Sequence, residues 1–247
     1  MKKTLIIINF LMVLNVICAQ EVYDFQYNIS YDMYINFGHR VLNKAELFYS
    51  NTTSCYVYKP SQNYTSIAGA YEDDERSVAI CDTATQTVWC DKATNEIIEL
   101  SSAGDILIID SIPAINWEIQ DDMRDIDGFR CNKAKCKFRG RTYTAWFSLD
   151  IPCNWGPWKL HGLPGAILEA YDDTNEISFY ATSIHRCKIQ RTKADKNQYK
   201  QMTVKEYLHR FEGKFEEELK RGLSKTNPGL QIQVSKVKIR SIELEDE

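Results

Sequence analysis

The sequence predicts an α+β protein that is mostly β: a large, twisted antiparallel sheet, open like a half-barrel, with one long C-terminal helix packed on it and a final strand. Three observations predict this class. Residues 23–35 alternate apolar and polar side chains, the period of a half-buried strand. Short apolar runs then follow at close spacing without helices between them, which favours an antiparallel meander. Near the end, apolar residues recur at helical spacing.

The first 20 residues have the layout of a cleavable secretory signal. Two lysines precede an apolar run from Leu5 to Ile17, which is short for a membrane span. Lipid attachment at Cys18 is disfavoured because Ile17 stands where a small residue is wanted, so cleavage after Ala19 or Gln20 is favoured. We therefore expect export to the periplasm or the cell surface, with no transmembrane segment after signal removal.

Residues 21–247 are expected to form a single β-rich domain. Removing 20 of 247 residues leaves 227, enough for one sizeable core. The formal charge becomes 28 − 34 = −6, because the signal carries two lysines and no acids. This balance does not favour nucleic acid as a partner. Residues 186–225 are locally basic, with twelve Lys/Arg against six Asp/Glu, a pattern typical of a solvated surface.

The predicted strands after the first are short and bounded by turn residues such as Asp127-Gly128. They cover residues 45–49, 55–58, 77–81, 86–90, 96–100, 106–109, 115–119, 128–131, 134–138, 142–149, 166–171 and 177–187.

The predicted helix covers residues 203–222. Thr203 and Glu206 have the spacing of a capping box, and the following apolar residues fall on one helix face that we expect to pack against the sheet. Gly222 and Pro228-Gly229 end the helix. Alternating apolar residues from 230 to 239 then predict the final strand.

Seven cysteines follow the signal, and an exported protein is more apt to bridge them than to bind metal with them. Nearness suggests three pairs, although the sequence does not fix connectivity and the odd number leaves at least one thiol. Cys81 and Cys90 flank a short turn, as do Cys131 and Cys136, and Cys153 and Cys187 lie on segments expected to meet.

Strong catalytic signatures are absent from the sequence: there is no zinc-protease helix motif, no serine elbow and no phosphate-binding loop. The sharpest enzymatic hypothesis pairs Cys153 as nucleophile with His161 as base. A weaker metal hypothesis combines His161, Cys153 and His185. Neither spacing matches a tight motif, so we expect no catalytic residue, no metal and no cofactor.

Two short segments that contain glycine and proline, next to tryptophans, predict a chain reversal with a restricted backbone path between two strands, which we call the corner. The corner residues are Trp155, Gly156, Pro157, Trp158, Gly162, Leu163, Pro164 and Gly165.

An ordered set of motifs over residues 117–187 surrounds this corner. It includes Phe138-Arg139-Gly140-Arg141, Gly156-Pro157-Trp158-Lys159 and Gly162-Leu163-Pro164-Gly165. The set resembles the GLPGLI family of secreted Bacteroidetes proteins, which has no assigned activity, although Ala166 stands where the family name has leucine. At the level of fold, a broad sheet with one helix is similar to the half-barrels of LolA carriers and RseB sensors.

Together these features predict an exported, non-enzymatic protein that binds an apolar or peptidic ligand, a lipid or a peptide, on a curved sheet face. One alternative is a cysteine-dependent metal-binding or thiol-redox protein centred on Cys131, Cys136, Cys153, Cys187 and His161. The other is a structural envelope component that acts through contacts with envelope proteins.

Overall fold

The computed structural model describes residues 21–37, 40–61, 68–70, 77–79, 85–101, 105–210, 212–213 and 241–243. The strands in this part of the chain are β1 Val22–Asn36, β2 Arg40–Tyr49, β3 Thr53–Pro60, β4 Ala68–Ala70, β5 Ser77–Ala79, β6 Gln86–Asp91, β7 Glu96–Leu100, β8 Ile106–Ser111, β9 Glu118–Ile126, β10 Phe129–Phe138, β11 Arg141–Ser148, β12 Ala166–Asp172, β13 Ile177–Thr192 and β14 Lys200–Met202. A 3-10 helix covers Lys196–Gln198, and an α-helix, α1, covers residues 204–210.

Twelve of these strands form one open sheet in the order β14-β8-β7-β6-β3-β2-β1-β13-β12-β11-β10-β9. Every neighbouring pair is antiparallel except β14 and β8, which are parallel. The short strands β4 and β5 pair separately. The chain is therefore mostly β, and β9 and β14 are the outermost strands of the described sheet.

The alternation in β1 places its apolar side chains in the main core. Ile29, Tyr31 and Met33 are at most 1% exposed, and the strand pairs with β2 on one side and β13 on the other. A second apolar cluster lies on the opposite face, because neighbours such as Leu47 and Phe48 point to opposite sides of a strand. Both faces of the central strands thus bury apolar surface.

The sheet curls until β8 meets the turn between β10 and β11. Asp110 lies on β8, and Arg139 lies in the turn before β11, eight inter-strand steps away in the strand order. In a flat sheet those steps would span roughly 38 Å at about 4.8 Å each. The Arg139 Nη2 atom nevertheless lies 2.5 Å from the Asp110 Oδ2 atom. Residues from both halves of the sheet consequently share the main core.

The prediction of a long helix packed on the sheet is wrong. The capping box is present, with the Thr203 amide donating to the Glu206 carboxylate at 2.8 Å. However, the described helix α1 has seven residues, and none of its side chains is buried. The reason is that the corner, residues 155–165, already occupies the inner side of the curved sheet. Residues 214–222 of the predicted helix and the final strand at 230–239 lie outside the described residues. No described helix is long and apolar enough to span a bilayer.

Two strand predictions also differ from the structure. The strand predicted at 115–119 lies later, as β9, and the hairpin predicted from 128–131 and 134–138 is the single strand β10. The four residues Asn-Lys-Ala-Lys between Cys131 and Cys136 continue the ladder, because Lys133 and Lys135 face the outer side while Ala134 is buried. The predicted signal at residues 1–20 lies outside the described residues.

Candidate functional site

The corner between β11 and β12 is a closed loop held by its own backbone. The Gly156 amide donates to the Leu160 carbonyl at 2.8 Å, and the Gly162 amide donates to the Asn154 carbonyl at 2.9 Å. Trp155 and His161 form an isolated antiparallel bridge between these bonds. The two arms of the corner therefore form a short ladder, which satisfies backbone groups that would otherwise be buried without partners.

Glycine is required at two positions of this loop. Gly162 has a φ of 92°, which favours glycine over residues with a Cβ atom. At Gly165, a Cβ atom would lie 2.0 Å from the Ser148 carbonyl oxygen. Gly162 is therefore required by its left-handed backbone conformation, and Gly165 is required because its backbone packs directly against the backbone of Ser148.

Indole and phenol groups connect the corner to distant parts of the sheet. The Trp155 indole donates to the Ser50 carbonyl at 3.0 Å, and the Trp117 indole donates to the His161 carbonyl at 2.8 Å. The Tyr31 hydroxyl donates to the Ile167 carbonyl at 2.8 Å, just beyond the corner. The corner is buried between the two halves of the curled sheet, where the sequence predicted a ligand.

A buried cation lies at the centre of the corner. Lys159 is 2% exposed, and its Nζ atom lies 2.9 Å from the Glu99 carboxylate on β7 and also contacts the Glu243 carboxylate. Burial lowers the pKa of Lys159, but the two carboxylates raise it, and the net pKa is above the usual value. Lys159 therefore stays charged and joins three segments far apart in sequence.

Two arginines complete a charged cluster around residues 241–243. Arg141 donates to the Ser241 carbonyl at 2.6 Å and the Ile242 carbonyl at 3.0 Å, while its Nη1 atom contacts the buried Asp172 carboxylate at 2.7 Å. Arg139, already paired with Asp110, lies 3.9 Å from the Glu243 carboxylate. We call Arg139, Arg141 and Lys159 the corner cations. Together they hold this C-terminal segment against the sheet.

The structure does not pair Cys153 with His161 as nucleophile and base. The Cys153 thiol donates to the Trp155 carbonyl at 3.0 Å, and burial raises its pKa to about 12. The two His161 ring nitrogens lie 2.9 Å from the carbonyl oxygens of Lys159 and Pro113. Burial lowers the pKa of His161, although these carbonyls raise it. Each side chain is thus engaged by other partners, and the thiol is in its unreactive form.

None of the predicted disulfides is present among the described cysteines. Cys131 and Cys136 lie five residues apart on β10, which is roughly 16 Å along an extended strand and beyond bridging distance. Cys187 lies on β13 with its thiol 3.8 Å from the Phe25 carbonyl. Cys81 lies outside the described residues. The free thiols are Cys55, Cys90, Cys131, Cys136, Cys153 and Cys187.

The weak metal candidates are dispersed. His185 is exposed on β13, whereas His161 and Cys153 are buried in the corner with partners of their own. Among the described residues, no group of three or more His, Cys, Asp or Glu side chains is arranged to hold a metal ion.

The second notable feature is the edge strand β9. β10 pairs with it on one side, and no described strand pairs with it on the other. Ile119 is 61% exposed and Met123 is 53% exposed, large values for apolar side chains. The strand carries four carboxylates, which are Glu118, Asp121, Asp122 and Asp125, against the single cation Arg124.

Sequence reasoning missed both the corner cations and this edge. Lys159, a charged residue inside the glycine-proline punctuated segment, could have indicated a buried cation, since lysine is almost never buried without a partner. The acidic run Asp121-Asp122 could have indicated an exposed strand. Its position at the edge, by contrast, depends on strand order, which the local sequence does not contain.

Comparisons with known proteins show a family match over a short part of the chain and a distant structural similarity. A family model described as "Protein of unknown function (Porph_ging)" matches residues 139–169, which contain the corner and all three corner cations. No curated protein matches the chain. Two crystal structures of PNGF-II are similar to it at 14% and 15% identity, with TM-scores of 0.49 and 0.47. Each alignment covers 75% of this chain and 32% of the other, so the chain spans about a third of the proteins it matches.

Gly165→Ala should destabilise the fold by about 3 kcal/mol or more, because the new methyl group would overlap the Ser148 carbonyl. Gly213→Ala is the matched control, since residues 212–213, which follow α1, also have helical backbone and a Cβ atom at Gly213 meets nothing within 4 Å. That control should gain about 0.5–1 kcal/mol. Urea unfolding measures both changes, and equal effects at the two sites would contradict this account of the corner.

Lys159→Met should lower the free energy of unfolding by about 3–5 kcal/mol, because it leaves the Glu99 and Glu243 carboxylates without their buried cation. Lys44→Met removes an exposed pair with Asp32 and should cost less than about 1 kcal/mol. Denaturant titration of the two variants makes the comparison. A small loss in Lys159→Met would mean that the pair contributes little.

The unfolding free energy should fall as the pH drops below about 6.5, the ordinary histidine pKa, because the unfolded chain then takes up a proton that folded His161 resists. His161→Gln should flatten this dependence between about pH 7.5 and about pH 5.5. His185→Gln, at an exposed site, should leave it unchanged. If the two variants follow the same pH profile, burial of His161 is not its source.

Proposed function

We propose that this chain is an exported, non-enzymatic protein that binds an extended polypeptide segment along β9 by strand addition. The observation that supports this most is the outer side of β9, where the nine residues Glu118–Ile126 have no strand partner among the described residues. Asp121 and Asp122 form a bulge in this strand, since Gln120 and Met123 pair with the consecutive residues Lys133 and Asn132. The other seven residues, at about 3.3 Å each, offer roughly 23 Å of backbone donors and acceptors. An added strand would hydrogen-bond to these groups, and side chains on alternating faces would provide specificity.

The side chains of β9 favour a particular partner. Its net charge is −4 + 1 = −3, counting four carboxylates and Arg124. Two of these charges already have partners on the sheet, since Asp122 lies 3.2 Å from Lys133 and Arg124 lies 2.5 Å from Glu169. Asp121 and Asp125 are exposed and available. We therefore propose a basic segment with apolar residues that cover Ile119 and Met123.

The same charges disfavour pairing of β9 with β9 of another copy. Two such strands would place carboxylates against carboxylates, and like charges on neighbouring strands are destabilising. Charge on an edge strand thus excludes one partner while admitting another.

The inner side of the sheet offers less support for an apolar ligand. Trp155, Trp158, Leu160 and Leu163 fill it and are at most 2% exposed. The site proposed for a peptide therefore moves from the curved face to the edge. A thiol-based function has little support as well, because burial raises the pKa values of Cys153, Cys136 and Cys90 to about 12.

Export is part of the proposal. It is supported by the signal-like first 20 residues and by the resemblance of residues 117–187 to the secreted GLPGLI proteins. That resemblance and the fold-level similarity to LolA and RseB remain predictions.

A fluorescein-labelled peptide in which lysine alternates with isoleucine and threonine should bind the chain, whereas its glutamate counterpart should not. Asp121→Lys/Asp125→Lys should weaken binding about tenfold or more, since attraction becomes repulsion at two exposed positions. Fluorescence anisotropy gives the dissociation constants.

The matched control is Asp173→Lys/Glu212→Lys, which changes the net charge equally at exposed acids outside β9. If this control weakens binding as much as the β9 variant does, the peptide responds to overall charge and the proposed site is wrong.

A further inference from the structure

We infer that the segment bound by β9 is the outer half of β13 in a second copy of this chain, so that the protein assembles head to tail. This inference rests on the proposed function and names its partner. It starts from a second unpaired strand edge in the same sheet.

β13 is much longer than the strand beside it. It covers Ile177–Thr192, but β12 pairs with only Ser178, Phe179 and Tyr180. β1 pairs with β13 along its other side as far as Thr192. Residues 181–192 therefore have one paired side and, among the described residues, one side without a strand. We call this part the open half of β13.

The open half of β13 is basic. It contains Arg186, Lys188 and Arg191 and no acidic residue, which gives a charge of +3 with histidine neutral. Arg186 and Lys188 are exposed, whereas Arg191 stacks on the Phe48 ring at 3.9 Å and lies 3.9 Å from the Glu46 carboxylate of β2. Ile189 is 38% exposed and supplies an apolar side chain. Charge, length and composition thus match the −3 charge and exposed apolar residues of β9.

The two edges do not pair within one molecule. Three strands, β12, β11 and β10, lie between β13 and β9 in the sheet. The open half of β13 therefore requires β9 of another copy. Because the two surfaces differ, a single contact of this kind is heterologous, and its repetition gives a closed ring or an open filament, whereas a two-fold dimer requires both contacts to form between the same two copies.

The charge match also separates this contact from the alternatives. β9 against β9 places −3 against −3, and open half against open half places +3 against +3. Only the head-to-tail pairing brings opposite charges together, with apolar side chains on both partners. Electrostatic complementarity of this kind determines which surfaces meet more than it determines affinity.

Sedimentation velocity on the purified chain should show concentration-dependent association that weakens when NaCl is raised from about 50 mM to about 500 mM. Asp121→Lys/Asp125→Lys, which makes β9 basic, and Arg186→Glu/Lys188→Glu, which makes the open half acidic, should each weaken self-association about tenfold or more. Circular dichroism spectra of the two variants should match that of the unmodified chain, which would show that both variants fold.

Mixing the two variants is the decisive measurement. Each variant alone brings like charges together, but a mixture offers the original acidic β9 to the original basic open half and also pairs the two reversed surfaces. Association should therefore return in the mixture, because the two original surfaces pair −3 with +3, whereas the two reversed surfaces, at −3 + 4 = +1 and +3 − 4 = −1, attract each other only weakly. A mixture that sediments as monomers would overturn the head-to-tail contact, as would an unmodified chain whose association neither variant changes.

The peptide experiment separates failure of this inference from failure of the proposed function. If the unmodified chain stays monomeric while the lysine-containing peptide binds β9, the partner is a basic segment of a different protein and the self-assembly is refuted. If neither the peptide nor a second copy binds, the function proposed for β9 is wrong as well.

Discussion

The buried charge of Lys159 is the interaction on which the rest of the structure depends. An ammonium group without a partner in this interior would cost several kcal/mol, so the fold is stable only when carboxylates reach it. One of them, Glu99, lies on β7, and the other, Glu243, lies near the end of the chain. Both contacts require the sheet to curl around the corner. The ion pairs thus give a unique arrangement to a packing that apolar contacts alone would specify less sharply.

A filled interior limits where this protein can act. Half-barrel sheets that carry ligands need an open inner face, but here the corner takes that volume with two buried tryptophans, Trp155 and Trp158. The remaining places for recognition are the outer surfaces and the unpaired strand edges. Within the described part of the chain the twelve-stranded sheet does not close, so it has two outermost strands, and strands longer than their neighbours create further open edges there.

Much of the local structure could be predicted from the sequence. The alternation of β1, the capping box of α1 and the corner at residues 155–165 each follow from side-chain period or backbone restrictions, which are local properties. The prediction that the helix packs on the sheet was wrong. An apolar stripe indicates that one side of a helix is buried, but it does not indicate that the sheet has a free surface to receive that side. The sequence predicts two strands where β10 is one, because the lysines on the outward side of this strand resemble turn residues.

The two strand edges show a limit of a different kind. Net charge, −4 for the whole chain, hides the fact that −3 lies on one exposed strand and +3 on another. Neither segment is unusual as sequence. Their opposite charges acquire meaning only because the strand order leaves both at edges that no described strand covers. Charges on an edge protect a monomer against indiscriminate pairing, and the same charges select a complementary edge. In this chain a single acidic strand satisfies both requirements, so protection against aggregation and recognition of a partner rest on the same residues.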